Sequence, residues 1–342
     1  SDVYKRQEPF LATSRVRMSG NGIFLRDADD QSLVSLKNEA RSQMRIATFN
    51  VQNLRLHADE GHEYLEGAVD GDTPEPDRAG PLAHADRVET ARVISAASPD
   101  VLALQEVFDL ETLDFFRDRF LIPAGAKSYN YQYCKRGNDG RGLNVAALSR
   151  KKARRVKSHA AKTGADLGLV NLPTYLRDEP IFRRDCLELD LDTVTLFICH
   201  FKAPYPDAIK ANEVRTAEAQ AVRRIIQNRY ADPSRENWII LGDFNEPVSD
   251  HTQTGSALDA LCSTFAVDLA DRRDPGENWT YEVPGTHQHT RPDRILVSPA
   301  LAKAFPDTRL GTIRSGMRTN AASDAGPRAS DHALIYADFP GL

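Results

Sequence analysis

The sequence predicts a single α/β domain, and three observations lead there. Short runs rich in Val, Ile, Leu, Phe and Thr recur from Arg45 to Asp338, and amphipathic stretches of helical period separate several of them. No repeat of solenoid length and no low-complexity linker interrupts the series. Of 342 residues, 41% are hydrophobic and 27% charged, which is enough apolar material for a sizeable core.

In chain order, residues 1–43 read as a poorly ordered or loosely docked lead-in and 44–342 as the folded domain. Strands are predicted at 45–49, 101–105, 143–149, 187–191, 194–199, 238–241, 294–297 and 333–338. Ala85, Val88, Ala91 and Ile94 recur at helical spacing, and Pro99-Asp100 stops that helix before the next strand. Leu110, Leu113, Phe116 and Phe120 form a second stripe. Val214, Ala217, Ala221, Ile225 and Ile226 form a third, running to about Tyr230. The segment 54–81 carries His57, His62, Gly71, Pro74, Pro76, Gly80 and Pro81 with little periodicity, so it reads as a long loop, either functional or disordered.

A net charge of −5 gives no global attraction for nucleic acid or anionic membrane, so any polyanion must be held by local positive charge or by metal. Cys134, Cys186, Cys199 and Cys262 form no CxxC pair, which argues against a structural zinc site and for reduced thiols. No apolar run reaches the roughly 18 residues of a membrane span, so integral membrane contact is not expected. The opening residues lack the apolar core of a secretory signal, which points to the cytoplasm; they also lack an initial Met, which leaves room for a leader upstream.

The positions of the polar residues are the informative feature. Four apolar runs end in residues able to bind metal or phosphate: 46–49 before Asn50, 101–104 before Gln105-Glu106, 196–199 before His200, and 239–241 before Gly242-Asp243. Sites in α/β sheets assemble at such strand ends. Two further clusters, Arg291-Pro292-Asp293 and Ser330-Asp331-His332, precede strands and reach the same edge if those strands run antiparallel. In extended backbone Asp243 and Asn245 point the same way and Phe244 points into the core, while Gly242 lets the chain approach a ligand; taken alone, Gly-Asp-Phe-Asn reads equally as a turn, since Gly, Asp and Asn are turn residues. The basic run 150–157 is expected to follow a strand that ends near the site, either tracking a polyanion or forming a solvated hairpin. His287 and His289 lack a third zinc ligand and read as loop residues.

Taken together, IATFNVQNL, LALQEV, FICHFKAP, WIILGDFNEP, PDRILVS and SDHALIYADF resemble the successive motifs of the endonuclease/exonuclease/phosphatase superfamily over about residues 44–339. That superfamily includes pancreatic deoxyribonuclease, apurinic/apyrimidinic endonucleases, bacterial sphingomyelinases and inositol polyphosphate 5-phosphatases. The resemblance implies a four-layer sandwich of two mixed β-sheets flanked by helices, and a catalytic domain that hydrolyses phosphoesters with a divalent metal: Mg²⁺, or Mn²⁺ or Ca²⁺.

By the same resemblance, Glu106 is a metal ligand, Asn50 lies beside the metal, and Asp331 is a second ligand candidate. Asp243 orients or deprotonates the attacking water and Asn245 holds a phosphoryl oxygen. His332, its tautomer fixed by Asp293, acts as the base or stays positive. His200 resembles the second histidine of the deoxyribonuclease and sphingomyelinase branches, which protonates the leaving oxygen. Arg184, with Arg183 as the other register, resembles a phosphate-contacting arginine; Asn144 and Lys202 join it as phosphate-binding candidates. The implied substrate is a phosphodiester, DNA or RNA first. A lipid or inositol phosphoester, or a non-catalytic phosphate-binding scaffold, are the other readings, and no protein partner can be inferred.

Overall fold

The computed structural model describes residues 43–70, 79–247, 255–262, 264–286, 288–320 and 326–342, together with three short strands nearer the N-terminus. Two units emerge, Ser1–Ser42 and Gln43–Leu342. In the first, Met18–Ser19, Gly22–Leu25 and Val34–Leu36 pair as a three-stranded antiparallel sheet.

The second unit is built on two six-stranded mixed sheets. Sheet I has the order Leu310–Ile313, Leu334–Pro340, Gln43–Leu54, Val101–Val107, Asn144–Ser149, Tyr131–Cys134; sheet II has the order Arg155–Ser158, Cys186–Asp190, Thr195–His200, Trp238–Asp243, Asp293–Val297, Val267–Asp268. The two middle strands of each sheet are parallel and every other pairing in it is antiparallel. Parallel neighbours need a crossover. Helix Pro81–Ala97 lies between the middle strands of sheet I in sequence, and helix Ala208–Arg229 between those of sheet II.

Both helices have readable ends. Pro81 suits a first turn, where no amide is needed; Ser98 ends that helix in the left-handed region, donating its N–H to Ile94 O, just ahead of Pro99. The Asp207 side chain caps the second helix by accepting from the amides of Ile209 and Lys210.

Strand alternation then sorts the core into layers. Ile46, Val101 and Ala103 of sheet I pack against Leu187, Ile198 and Leu241 of sheet II between the sheets. Ala47, Phe49, Leu102 and Leu104 face outward onto Ala91 and Ile94 of the first helix. Phe197, Cys199 and Ile240 face outward onto Val214, Ala221 and Ile225 of the second. The result is a four-layer sandwich. Truncating a fully buried inter-sheet residue such as Leu241 to Ala costs about 2–5 kcal/mol by the usual cavity cost.

All eight predicted strands are present, and the other four strands of the two six-stranded sheets, Tyr131–Cys134, Arg155–Ser158, Val267–Asp268 and Leu310–Ile313, were not foreseen and are the outermost ones. The segment 54–81 is less loop-like than expected: Leu56–Asp59 pairs with His62–Leu65 as a hairpin, and residues 71–78 lie outside the described residues. The basic run is also misplaced in the sequence reading. Strand Asn144–Ser149 begins opposite Val107 and ends opposite Val101, so residues 150–157 leave from the edge of the sheet far from Glu106. There Arg150 pairs with Asp100 at 2.7 Å, Arg154 with Asp192 at 2.6 Å, and Arg155 with Glu188 on the neighbouring strand; the run crosses from Asn144–Ser149 of sheet I to Arg155–Ser158 of sheet II, so it is not the expected hairpin.

Candidate active site

The ladder of sheet II brings three candidate side chains into one row. His200 is the partner of Asp243 across the parallel pair, and Asp243 the partner of Asp293 across the antiparallel one. Sheet I supplies Asn50, in register with Gln105, then Glu106 one residue on, and His332 two residues ahead of strand Leu334–Pro340. His332 is held there by an isolated bridge to Tyr281, whose ring lies 5.0 Å from the imidazole.

Asp243 is the hub. Its Oδ2 accepts from Asn50 Nδ2 and from Asn245 Nδ2, each at 3.1 Å, and lies 3.5 Å from His200 Nε2 and 3.8 Å from His332 Nε2. Its Oδ1 accepts from the Asn245 amide at 2.8 Å. Asn50 Nδ2 also donates to Glu106 Oε1 at 3.1 Å, so one side-chain amide joins the carboxylates of the two sheets. Asp293 Oδ2 sits 2.8 Å from His332 Nδ1.

The backbone here departs from regular strand. Gln52, Asn53, Glu106 and Asn245 all have φ between 49° and 66°, in the left-handed region that non-glycine residues rarely occupy and that concentrates at functional sites. Asn245 is therefore not in the extended conformation expected from its spacing; a tight turn returns its amide to Asp243. Phe244 does point into the core, packing edge-on against Phe201 at 4.8 Å. Gly242 is required by the neighbouring strand: at φ 139°, a Cβ there would lie 1.9 Å from Cys199 O.

Burial and charge set the two histidines apart. Burial, reinforced by Arg184, His332 and Arg141, pushes His200 well below the usual imidazole value and keeps it neutral. Burial acts the same way on His332, but Asp293, Asp331 and Asp243 together outweigh it and hold that ring protonated. Asp243 is raised to about 6, mainly by burial, with His332 opposing; Asp331 is raised to about 6 for the same main reason.

Asp243, Asp293 and His332 offer ligand atoms within 4.8 Å of one another, a grouping with the spacing of a metal site. His332, held as an imidazolium against Asp293, has no lone pair free for a metal. Glu106 is the better fit: a hard oxygen donor beside the Asn50 amide, with its second oxygen accepting from the Asn53 amide at 2.9 Å. Asp331, 3.3 Å from Arg318, is close enough to Glu106 for the two charges to interact.

The remaining candidates stand around this centre. Arg184, buried, pairs with Asp139 at 3.0 Å and donates to Phe201 O at 3.0 Å, next to His200; Arg183 lies outside that contact and gives its amide to Glu218. Lys202 Nζ turns back to Ala203 O and Tyr205 O. The Asn144 amide is engaged with the backbone of Gly137, Phe108 and Gly142. His289 pairs within a two-residue strand and stacks on Trp279 at 4.0 Å, and His287 lies outside the described residues.

Three supporting residues were missed. Fully buried Arg87 donates to the carbonyls of Val51, Gln52, Asn53, Glu66 and Gly67, holding the left-handed segment beyond Asn50. Ser330 Oγ donates to Asn50 O at 2.6 Å and accepts from the His332 amide at 3.1 Å. Buried Glu218 accepts from the amides of Arg183 and Lys202, tying together the segments that carry Arg184 and His200. Only Ser330, inside a motif, carried a local signal.

A model of the endonuclease/exonuclease/phosphatase family matches residues 47–332. Among solved structures, truncated TDP2 from Caenorhabditis elegans is 15% identical with a TM-score of 0.52, over 87% of this chain and 98% of that one. D. rerio TDP2 complexed with a single-strand DNA product is 17% identical with a TM-score of 0.52, over 87% and 98%. A Bacteroides thetaiotaomicron mannosyl-6-phosphatase is 16% identical with a TM-score of 0.53, over 86% and 98%. No curated protein sequence matches the chain.

Proposed function

The chain belongs to the endonuclease/exonuclease/phosphatase family, a family of hydrolases acting on phosphoester bonds, and from that premise we propose that it cleaves phosphodiester bonds in a nucleic acid. The observation that carries the reading is the buried carboxylate of Asp243, approached by two side-chain amides and by two histidines of opposite protonation. A TDP2 structure holding a DNA product supports the choice of substrate class.

Attack on a phosphodiester needs a base for water, charge for the pentacovalent state and a proton for the leaving oxygen. Asp243 takes the water proton while Asn50 and Asn245 keep its carboxylate aimed. His332 stays an imidazolium, with Asp293 fixing its Nδ1–H, and its Nε2–H faces the developing phosphoryl charge. His200 faces the leaving side; the phosphate's negative charge raises its proton affinity, so that it can deliver a proton through Nε2. Arg184 and Lys202 keep that flank positive, and Asn144 shapes the adjoining loop. A divalent cation at Glu106 and Asp331, beside Asn50, supplies Lewis-acid neutralisation of phosphoryl oxygens when bound; Mg²⁺ is the first choice, with Mn²⁺ or Ca²⁺ as substitutes.

The test is purified protein with Mg²⁺ or Mn²⁺ against plasmid DNA, RNA, bis-p-nitrophenyl phosphate, sphingomyelin, inositol phosphates and a sugar monophosphate. Diester cleavage that EDTA abolishes and metal restores is expected. Turnover of the sugar monophosphate alone, or full activity in chelator, overturns the proposal.

A further inference from the structure

Past the end of strand Val101–Val107 the surface opens into a cavity of about 330 Å³ lined by Phe108, Asp109, Leu110, Cys134, Arg136, Gly142 and Asn144. Phe108 is two residues beyond Glu106 and Asn144 is the ladder partner of Val107, so the lining begins within two residues of the candidate metal ligand along the chain. Its walls are held in place. The Asn144 amide donates to Phe108 O at 2.6 Å and Gly142 O at 2.9 Å, clamping the two loops that face each other. Gly142, at φ 88°, lets its loop lie against the Phe108 ring, where a Cβ would come within 2.5 Å of Cε2. The Arg55 guanidinium sits 4.4 Å over that ring and stiffens it.

The chemistry of the lining is divided. Phe108, Leu110 and Cys134 present apolar surface, and burial holds the Cys134 thiol protonated, pushed up to about 12. The Asp109 carboxylate is engaged as a helix cap, accepting from the Thr112 amide at 2.7 Å. Arg136 is exposed, and among the described residues it makes no hydrogen bond or ion pair. An apolar slot with an aromatic wall and a free guanidinium at its rim suits a flat heterocycle joined to a phosphate.

We infer that this cavity is a substrate subsite that takes the nucleoside flanking the scissile phosphate, its base against Phe108 and Leu110 and its outer phosphate on Arg136. The inference rests on the phosphodiesterase reading and narrows it: the substrate carries at least one nucleotide beyond the bond that is cut, and a lone phosphomonoester leaves the subsite empty.

The experiment compares a short single-stranded oligonucleotide with bis-p-nitrophenyl phosphate, which has no flanking nucleotide, in the wild-type chain and in Arg136→Ala and Leu110→Glu. Both positions are exposed, and a thermal melt checks that folding is retained. The ratio of kcat/KM for oligonucleotide over small diester should fall at least about 10-fold in each variant, roughly the loss of one charge-assisted contact or one base stack. For Arg136→Ala, the salt dependence of oligonucleotide KM should also flatten by about 0.7 in log–log slope, the single-strand value for one phosphate contact. An unchanged ratio in both variants, or a wild-type enzyme that prefers the small diester, overturns the subsite while leaving the phosphodiesterase reading intact. Absence of activity on both substrates overturns that reading first.

Discussion

Sheets I and II share a plan and differ in the chemistry they deliver. In each, a parallel central pair is crossed by one long helix, and an antiparallel strand flanks the pair on either side. Equivalent places hold candidate residues in both. The first central strand carries Asn50 in sheet I and His200 in sheet II; the second carries Glu106 and Asp243. The flanking strand after the pair begins at Asn144 and at Asp293, and two residues ahead of the other flanking strand stand His332 and Arg184. In the proposed mechanism sheet I offers oxygen donors for a cation, and sheet II the groups that move a proton.

The backbone differs as well. Sheet II keeps regular register out to the His200–Asp243 pair, whereas sheet I shifts register between Asn50 and Leu54 and runs through left-handed Gln52, Asn53 and Glu106. A proton relay needs side chains in a fixed row, which a ladder provides; a cation needs oxygens converging from several directions, which requires bent chain. Arg87, lowered to about 10 by burial and surrounded by carbonyl oxygens, supports the bend from beneath, and the Glu106 carboxylate holds it through the Asn53 amide.

That division can be tested by substitution, the largest effect first. Asp243→Asn should lower kcat on bis-p-nitrophenyl phosphate by at least about 1,000-fold, within the range for general acid–base groups, and added Mn²⁺ should not restore it. Rescue by metal would place Asp243 on the cation side and erase the distinction. Arg87→Met should destabilise the fold by about 3 kcal/mol or more, since buried acceptors lose a charged donor; urea unfolding reads this as a lower midpoint, and an unchanged midpoint would mean that the bent segment holds itself. Glu106→Gln should weaken the apparent metal affinity by at least about 10-fold and recover turnover as Mn²⁺ is raised. Failure to recover would assign Glu106 to chemistry instead.

The smallest effect concerns pH. In the proposed mechanism His332 acts as a cation, and its pKa is raised, so activity should be retained below that raised value and lost as pH climbs through it. Asp293→Asn removes the nearest charge that raises it, and the alkaline limb of the kcat/KM profile should move to lower pH. A limb that stays in place would mean that another group sets it.

Much of this was legible in the sequence because the signal was local. An apolar strand run followed by a polar residue is visible without knowing its neighbours, and that form covers Asn50, Glu106, His200 and Asp243. The edge strands escaped notice because they are short and half exposed: Arg155–Ser158 alternates exposed and half-buried residues and carries charge, so it lacks the apolar run of an inner strand. Arg87 and Glu218 escaped for another reason, since on their helices they read as ordinary charged residues. Their partners lie 20 to 36 residues back for Arg87 and as far as 35 for Glu218, so only the folded chain shows them buried. At Asn245 the sequence allowed both an extended strand and a turn, and the left-handed residue settles it as the turn.

The contact between Gly242 and Cys199 O has a consequence for how this chain can vary. A methyl group at 242 cannot coexist with the ladder that keeps His200 level with Asp243, because the obstacle is backbone and cannot rotate aside. In a saturation library sorted for function, position 242 should return glycine alone, while exposed Arg136, Lys151 and Lys152 should accept broad replacement as long as the small diester is the selecting substrate. A shape requirement between two strands would then look, in a catalogue of tolerated substitutions, like a catalytic residue.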